Sequence, residues 1–523
     1  MTEYIFGANI LENLTTGMYQ DSKVIYREYI QNACDQIDRA IRDGVLNSDE
    51  GTIEIWLDQI KRTIIIEDNA TGIPAHKFRE VLGNIADSDK RIGEDKGFRG
   101  IGRLCGLAYC KELVFTSSAI GETVESIMRC DAEKMRGLID DNSRGIKHTA
   151  NDVLHAINSF GQKDSIDAEL HYFRVELINI NSENTDLLDF QQVKDYLSFV
   201  APVPYQSSFI YRKEIYNHAK CLGVKIDEYN VMIEGEQVLK KYVTILKDSQ
   251  TGEKYDDIFS LEFKDFYLDG KLIAWMWVGV SRFQKAIPKA NQMRGLRLRK
   301  ENIQIGDEDS LQKLFKEDRG NSYFIGEVFA IDKELIPNSQ RSYFNENPAR
   351  LEFERALRIY FNEELRKIYY NGSTINAAFK KIDVAEKKEA EFKQKELAGA
   401  FVDENHHDRE LKIVLEAKKD AETAQEKIEK VKEKANGLMQ KVIKRIENER
   451  PLPAVDIEPP IAVDQPDGDE PEDPNRQIHR VDKLTRYSKA ERKLISKIFS
   501  IITKATDSKT AEMIIGKVEE ELR

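Results

Sequence analysis

The sequence predicts an α+β protein of several domains that ends in a charged helical third. Three observations carry this. The 523 residues exceed what one hydrophobic core usually organises. Strand-like and helix-like runs mix through about residue 370. From about Asn376 the chain becomes charged and helical, and after Glu449 it passes into a stretch of proline, aspartate and glutamate. The expected division is 1–200, 201–370, 376–449, 450–477 and 478–523.

Composition narrows the class. Hydrophobic residues are 41% of the chain, enough for globular cores, and charged residues are 33%, which fits long solvated helices. A formal charge of −13 argues against DNA binding by the whole surface, while leaving room for a local basic groove. Cys34, Cys105, Cys110, Cys130 and Cys221 are odd in number and form no CxxC, so a reducing cytoplasm with buried thiols is expected. The opening MTEYIFGANI lacks a basic start followed by an apolar run, so no signal peptide is read, and no apolar stretch is long enough for a bilayer.

Residues 1–27 read as a short helical lead. The stretch from Arg27 to Asp38, REYIQNACDQID, is a helix with Glu28, Asn32 and Asp35 on one face. Tyr29, Ile30, Ala33 and Ile37 lie mostly on the other side, toward a core. A carboxylate, an amide and a second carboxylate aimed at one point suit a divalent cation and a water. An exposed polar face is the alternative. Thr52 to Leu57 and Thr63 to Glu67 read as a hairpin, the second strand apolar enough to be buried on both faces. It ends in EDNATGIP, where Asp68 sits at the strand end and Gly72 relaxes the backbone. Such a carboxylate can accept from an exocyclic amino group; an ordinary Asx-turn is the alternative. His76 to Ile85 reads as helix. The polar stretch Ala86 to Lys96 follows, then GFRGIGRLCGLAYC. Gly97, Gly100 and Gly102 let backbone N–H groups approach phosphate oxygens, with Lys90, Arg91, Lys96 and Arg99 adding positive charge. Leu113 to Ser117 and Thr123 to Cys130 form a strand pair, and Tyr172 to Ile180 a later strand.

The order E-x-x-x-N-x-x-D, D-N-x-x-G, G-x-x-G-x-G resembles the GHKL superfamily of gyrase-type topoisomerases, heat-shock chaperones of the ninety-kilodalton class, histidine kinases and MutL proteins. The resemblance implies a Bergerat-type α/β sandwich that binds ATP and Mg²⁺. Glu28 is then the general base and Asn32 the Mg²⁺ ligand. Asp68 partners the adenine amino group, Asp35 is a carboxylate lining the pocket, and Gly72, Lys90, Gly97, Arg99, Gly100 and Gly102 belong to the nucleotide site. Ala86 to Lys96 is the mobile lid. Two departures stand out. Ala70 replaces the middle glycine of D-x-G-x-G, and no G-T pair precedes the domain's last strand.

Gln191 to Val200 reads as a helix leading to the crossover APVPY. Residues 201–370 mix strands (Asn230 to Ile233, Lys271 to Val280, Leu296 to Lys300, Ser322 to Ala330) with helices (Asp309 to Phe315, Ala349 to Ile368). GEVFAIDKELIPNSQRSYFNEN resembles the chaperones' middle-domain segment, which implies that Arg341 is directed at ATP as an arginine finger. A surface arginine paired with Glu334 or Glu346 is the alternative. Arg294 to Lys300, RGLRLRK, alternates like a half-buried strand and lines a nucleic-acid or peptide groove or a solvated face. Beyond 376, Phe379 to Leu397 and about Arg409 to Glu449 are helices, the second with a thin, alanine-rich coiled-coil seam from Val414 to Val442 that needs a partner from the same chain or a second copy. Pro451 to Pro474 reads as a disordered acidic linker, followed by helices over about Lys489–Lys504 and Ser508–Glu521.

The expected function is Mg²⁺-dependent ATP hydrolysis that closes a homodimeric clamp on a protein or DNA client, without a membrane partner. A nucleotide-gated scaffold that barely hydrolyses ATP is the alternative, including one in a bacterial defence or DNA-transaction system. A histidine-kinase role is disfavoured, since no histidine precedes the ATP-binding part in a dimerisation helix.

Overall fold

The hairpin Thr52–Leu57 and Thr63–Glu67 is the seed of the first layer. In the computed structural model, which describes residues 5–15, 17, 21–85, 100–164, 167–248, 250–283, 285–435, 437–449, 495, 498–499, 502 and 508–522, it becomes β1 (Thr52–Asp58) and β2 (Thr63–Asp68), with Ile55 opposite Ile66 and Ile53 opposite Asp68. β3 (Glu112–Ser118), β4 (Val124–Asp131), β5 (Asn158–Asp164), β6 (Tyr172–Ile178), β7 (Asn230–Ile233) and β8 (Glu236–Gln237) complete an eight-stranded sheet in the order β5-β4-β3-β6-β2-β1-β7-β8. β7 joins β1 in parallel, Ile55 opposite Ile233; the other pairs are antiparallel. Asn230–Ile233 was expected inside the second domain. It extends the first sheet instead, because Val231 and Ile233 complete the core built on Ile53 and Ile55. A four-residue alternation carries no information about which sheet edge it will join.

Helices α1 (Asn9–Leu14), α2 (Val24–Arg42), α3 (Ala75–Gly83), α4 (Ala132–Asp140), α5 (Ala150–Ile157) and α6 (Phe190–Val200) accompany this sheet. On α2, Tyr29, Ile30, Ala33 and Ile37 are buried in one core with Ile53, Ile55, Ile64 and Ile66. Each such isoleucine contributes about 1.5–3 kcal/mol of burial. That face fixes the rotation of α2, and so fixes where Glu28 and Asn32 point. Cys34, Cys105, Cys110 and Cys130 are buried free thiols, and Cys221 is an exposed one.

After α7 (Arg212–Cys221) and a small ribbon of β9 (Ile245–Lys247) with β10 (Lys254–Asp257), a second sheet forms from β11 (Ser260–Leu268), β12 (Lys271–Val280), β13 (Gly295–Lys300), β14 (Ile303–Ile305) and β15 (Ile325–Ala330). Its order is β11-β12-β15-β13-β14. Both faces are covered. On β12, Ala274, Met276 and Val278 join one core, and Trp275 and Trp277 join another with Tyr205, Phe209 and Tyr242.

RGLRLRK is a strand of this sheet, but neither a solvated face nor a groove. Arg297, Arg299 and Lys300 are buried. Leu296 and Leu298 face one core; on the other side Arg297 lies over the Phe199 ring at 4.4 Å, and Arg299 donates to Glu327 at 2.7 Å. Lys240 donates to the same carboxylate at 3.0 Å, and Tyr205 and Tyr242 also hydrogen-bond it. The alternation was legible; that a buried carboxylate would neutralise its cationic side was not. The expected helix Asp309–Phe315 is only a short turn at Gln312–Leu314, since Asp307 and Ser310 satisfy the local backbone through side chains.

α8 (Pro348–Tyr360) begins on an Asn347 cap and continues through a π-turn, Phe361–Leu365, into α9 (Arg366–Leu397). The expected break before Phe379 does not occur. α10 (Glu404–Lys434) folds back along α9, shown by the ion pairs Lys395–Glu410, Glu389–Lys418 and Lys381–Asp420. The seam's partner is therefore a helix of the same chain, and Ala424 and Ile428 share a core with Ile382. The expected single helix to Glu449 is interrupted at Ala435, and α11 (Gly437–Glu449) adds Leu438, Val442 and Ile446 to that core. Met1–Leu452 form one unit and Pro453–Arg523 another. In the second, α12 (Ser508–Glu521) packs Ile515 with Ile495 and Phe499. The expected acidic linker 450–477 and most of the helix expected over Lys489–Lys504 lie outside the described residues.

Burial alone would raise the Glu327 carboxyl; Arg299 and Lys240 outweigh it and hold it at about 2, below the ordinary 4.5. Burial lowers the Lys240 ammonium to about 8 against the pull of Glu327. Two cations share this one carboxylate, so its loss is the costlier change. A carboxyl depressed in the fold adds stability that is complete above its ordinary value and is lost as pH falls through the folded value. Glu327→Gln is expected to cost about 3–5 kcal/mol at neutral pH, read as a lower urea midpoint. The gap from wild type should shrink as pH falls from 4.5 toward 2; equal midpoints at neutral pH would rule out a stabilising role.

Candidate functional site

A cavity of about 760 Å³ opens beside α2 and the end of β2. The sequence-predicted residues Glu28, Asn32, Asp68, Gly72, Gly100 and Gly102 line it, and so does Arg341. Asp35 is buried on α2 but is absent from the lining among the described residues. Lys90, Gly97 and Arg99, with the rest of the expected lid from Ala86 to Lys96, lie outside the described residues.

Each wall has a local cause. Asp68 ends β2 and is 3% exposed; its Oδ1 accepts the Ala70 N–H at 3.1 Å. The Asx-turn and the cavity position thus coexist. Ala70 is fully buried, its carbonyl 2.7 Å from His171 Nδ1, and its φ is not positive, so no glycine is required there. Gly72 is different: φ is +66°, and a Cβ would stand 1.9 Å from the Ser118 carbonyl oxygen. Gly102 opens a short 3-10 helix (Gly102–Ala108) and touches the proposed base, since a Cβ there would lie 2.5 Å from Glu28 Oε2. The Tyr29 hydroxyl pins that helix to α2, donating to Arg103 O at 3.0 Å and accepting from Gly106 N–H at 3.1 Å.

The second sheet delivers Arg341. Its loop is closed by Asn338 N–H to Tyr343 O (2.8 Å) and Arg341 N–H to Asn338 O (3.0 Å), and the Gly306 N–H donates to Arg341 O at 2.8 Å. Arg341 has φ +52°, a left-handed conformation that costs a non-glycine residue about 1–3 kcal/mol. It is 5% exposed, so it is not the surface residue that pairing with Glu334 or Glu346 requires. Burial lowers its guanidinium from the usual range, and the Glu28 carboxylate is the largest opposing influence.

Sequence reasoning missed Arg27. It donates to Glu28 Oε1 at 3.2 Å and to Gln340 O at 3.0 Å, so one guanidinium ties the α2 carboxylate to the Arg341 loop. Its only signal was adjacency to Glu28. Also missed were Phe115, Phe173 and Val175, which with Ile66 give the cavity an apolar wall. Phe115 and Phe173 stack at 6.0 Å; β6 places Phe173 opposite Asp68, where no G-T pair was found.

Residues 28–165 match the family described as histidine kinase-, DNA gyrase B-, and HSP90-like ATPase. This is a GHKL-type ATPase domain. It contains every lining residue predicted from the first domain, and Arg341 lies beyond it. The chain is also similar to curated relatives named chaperone protein HtpG. That of Psychrobacter arcticus is 25% identical over 199 residues, 34% of this chain and 30% of the relative. That of Chlorobium phaeobacteroides is 36% identical over 97 residues, 17% of this chain and 16% of the relative. That of Albidiferax ferrireducens is 30% identical over 132 residues, covering 22% and 20%. The chain thus spans less than a third of these relatives' length. Among the described residues no helix is long and apolar enough to cross a membrane.

Gly72→Ala is expected to lower the thermal midpoint by several degrees and weaken nucleotide binding, because positive φ and the Ser118 carbonyl both oppose a side chain. Gly83→Ala, which meets nothing within 4 Å, should leave both unchanged. Equal behaviour of the two variants would contradict the tight-turn assignment.

Proposed function

We propose that the chain is an ATP phosphohydrolase of chaperone-like type. The reading rests on Glu28, on α2, and Arg341, in the loop between β15 and α8, which line one cavity. Asp68 accepts a hydrogen bond from the adenine amino group, and Phe115 and Phe173 supply the apolar surface for the ring. Gly102, without a side chain, lets phosphate oxygens and Glu28 approach one another. Glu28 takes the proton of the attacking water. Asn32 offers its amide oxygen to Mg²⁺, which when bound would neutralise phosphate charge. Arg341 places a fixed positive charge toward the negative charge that develops on the transferred γ-phosphoryl group. Asp35 is given no role at the nucleotide in this scheme.

Arg27 supplies the coupling. A change in the Glu28 carboxylate is felt at the Gln340 carbonyl, in the loop of the second sheet. In this reading two copies of the chain close together in the nucleotide cycle, as the resemblance to the heat-shock chaperones implies. A protein client is favoured over nucleic acid, because the net charge is −13 and Arg297, Arg299 and Lys300 of the basic run are buried.

Glu28→Ala is expected to retain ATP binding while phosphate release falls about 10²–10⁴-fold. Asp68→Asn should instead weaken ATP binding tenfold or more, about 1.4 kcal/mol, in a calorimetric titration. Arg341→Ala should leave binding nearly intact and slow turnover about 10²–10³-fold. Wild-type turnover in the Glu28 variant would remove the assigned base, and unchanged affinity in the Asp68 variant would remove the assigned base pocket.

A further inference from the structure

A second cavity, of about 300 Å³, lies between the 318–323 turn and the paired helices α9 and α10. It shares no lining residue with the larger one. Arg319, Lys381 and Lys427 line it, and no carboxylate does. In a chain with 92 acidic and 79 basic residues, that imbalance runs against composition. Two carboxylates stand outside the lining. Glu317 pairs with Arg319 at 2.9 Å and Arg366 at 3.6 Å and accepts from the Tyr370 hydroxyl, so one negative charge meets two positive ones. Asp420 is 3.6 Å from Lys381. Lys427 makes no ion pair among the described residues.

A buried donor completes the set. Tyr369 is 2% exposed, its ring between Tyr323 (4.8 Å, 14°) and Tyr370 (5.0 Å, 29°). Its hydroxyl has no hydrogen-bond partner among the described residues. Native structures rarely bury an O–H without an acceptor. Thr374 and Thr423, also in the lining, donate to the carbonyls of Tyr370 and Lys419, and Tyr370 donates to Glu317, which leaves Tyr323, Ser373 and Tyr369 as hydroxyl donors. The alanine-rich seam acquires a reason here: Ala378 and Ala424 line the cavity, and larger residues at those places would fill it.

We infer that this cavity binds a small phosphomonoester. A phosphate group has three terminal oxygens for three cationic side chains and three hydroxyls, whereas a carboxylate has two. The remaining volume takes an organic body about the size of a sugar ring.

The test is calorimetric titration of the full chain with ribose 5-phosphate, with ribose and inorganic phosphate as comparison arms. Saturable binding of ribose 5-phosphate is expected, with none of ribose. Lys427→Gln should weaken it at least tenfold and Tyr369→Phe several-fold, while both variants keep wild-type affinity for ATP. Lys427 is exposed and Tyr369→Phe keeps the stacked ring, so both variants retain the fold. Absence of saturable binding, or binding unmoved by Lys427→Gln, would overturn the site. Inorganic phosphate binding as tightly as the sugar phosphate would overturn the organic part of the ligand.

Discussion

The Arg27 guanidinium is the contact on which the arrangement turns. It reaches Glu28 on its own helix and the Gln340 carbonyl 313 residues away. Arg27, Glu28, Asp35 and Arg341 are each less than 10% exposed. Charges so far from water need one another, because removing one partner leaves another buried and uncompensated. The two positive and two negative side chains therefore form a unit, and its geometry holds only while the 337–344 loop stays docked against α2. The hydrolytic chemistry proposed for Glu28 and the docking of the second sheet become a single structural condition.

That condition is supported from behind. Arg341 sits in a left-handed conformation that the chain would not choose unaided. Its carbonyl is held by Gly306, at the end of β14. β14 pairs with β13, and β13 is fixed through Arg299 to Glu327 on β15. The buried charge cluster of the second sheet thus anchors the strand pair from which the arginine loop is held. Downstream, α8 starts on the Asn347 cap just past the loop and runs through a π-turn into α9. The helical third is built on the same segment that presents Arg341.

Much of the first domain was legible because its signals are local. Glu28, Asn32 and Asp35 share a helix face by spacing, Asp68 ends an apolar strand, and Gly72 is required by a turn whose φ no side chain favours. The errors arose where the outcome depends on distant partners. RGLRLRK alternates as a strand should, but partners outside it, Glu327 for Arg299 and Gln304 for Arg297, decide that these arginines are buried. Asn230–Ile233 carries a strand pattern without an address. The break expected between Ile368 and Phe379 is absent because Gly372 serves tertiary packing within α9, in close approach to Phe283, 3.1 Å from a Cβ built there. Phe173 was invisible as a site residue because a missing G-T pair does not say what stands in its place.

The central claim is that Glu28 and Arg341 serve one reaction in one cavity. A double-mutant cycle on single-turnover phosphate release, with Glu28→Gln, Arg341→Ala and the pair combined, tests it most directly. Groups that act on one transition state are expected to be non-additive, so the double variant should be little slower than the slower single variant. Two losses that multiply in full, or an Arg341 variant as fast as wild type, would place the arginine outside the reaction and contradict the account.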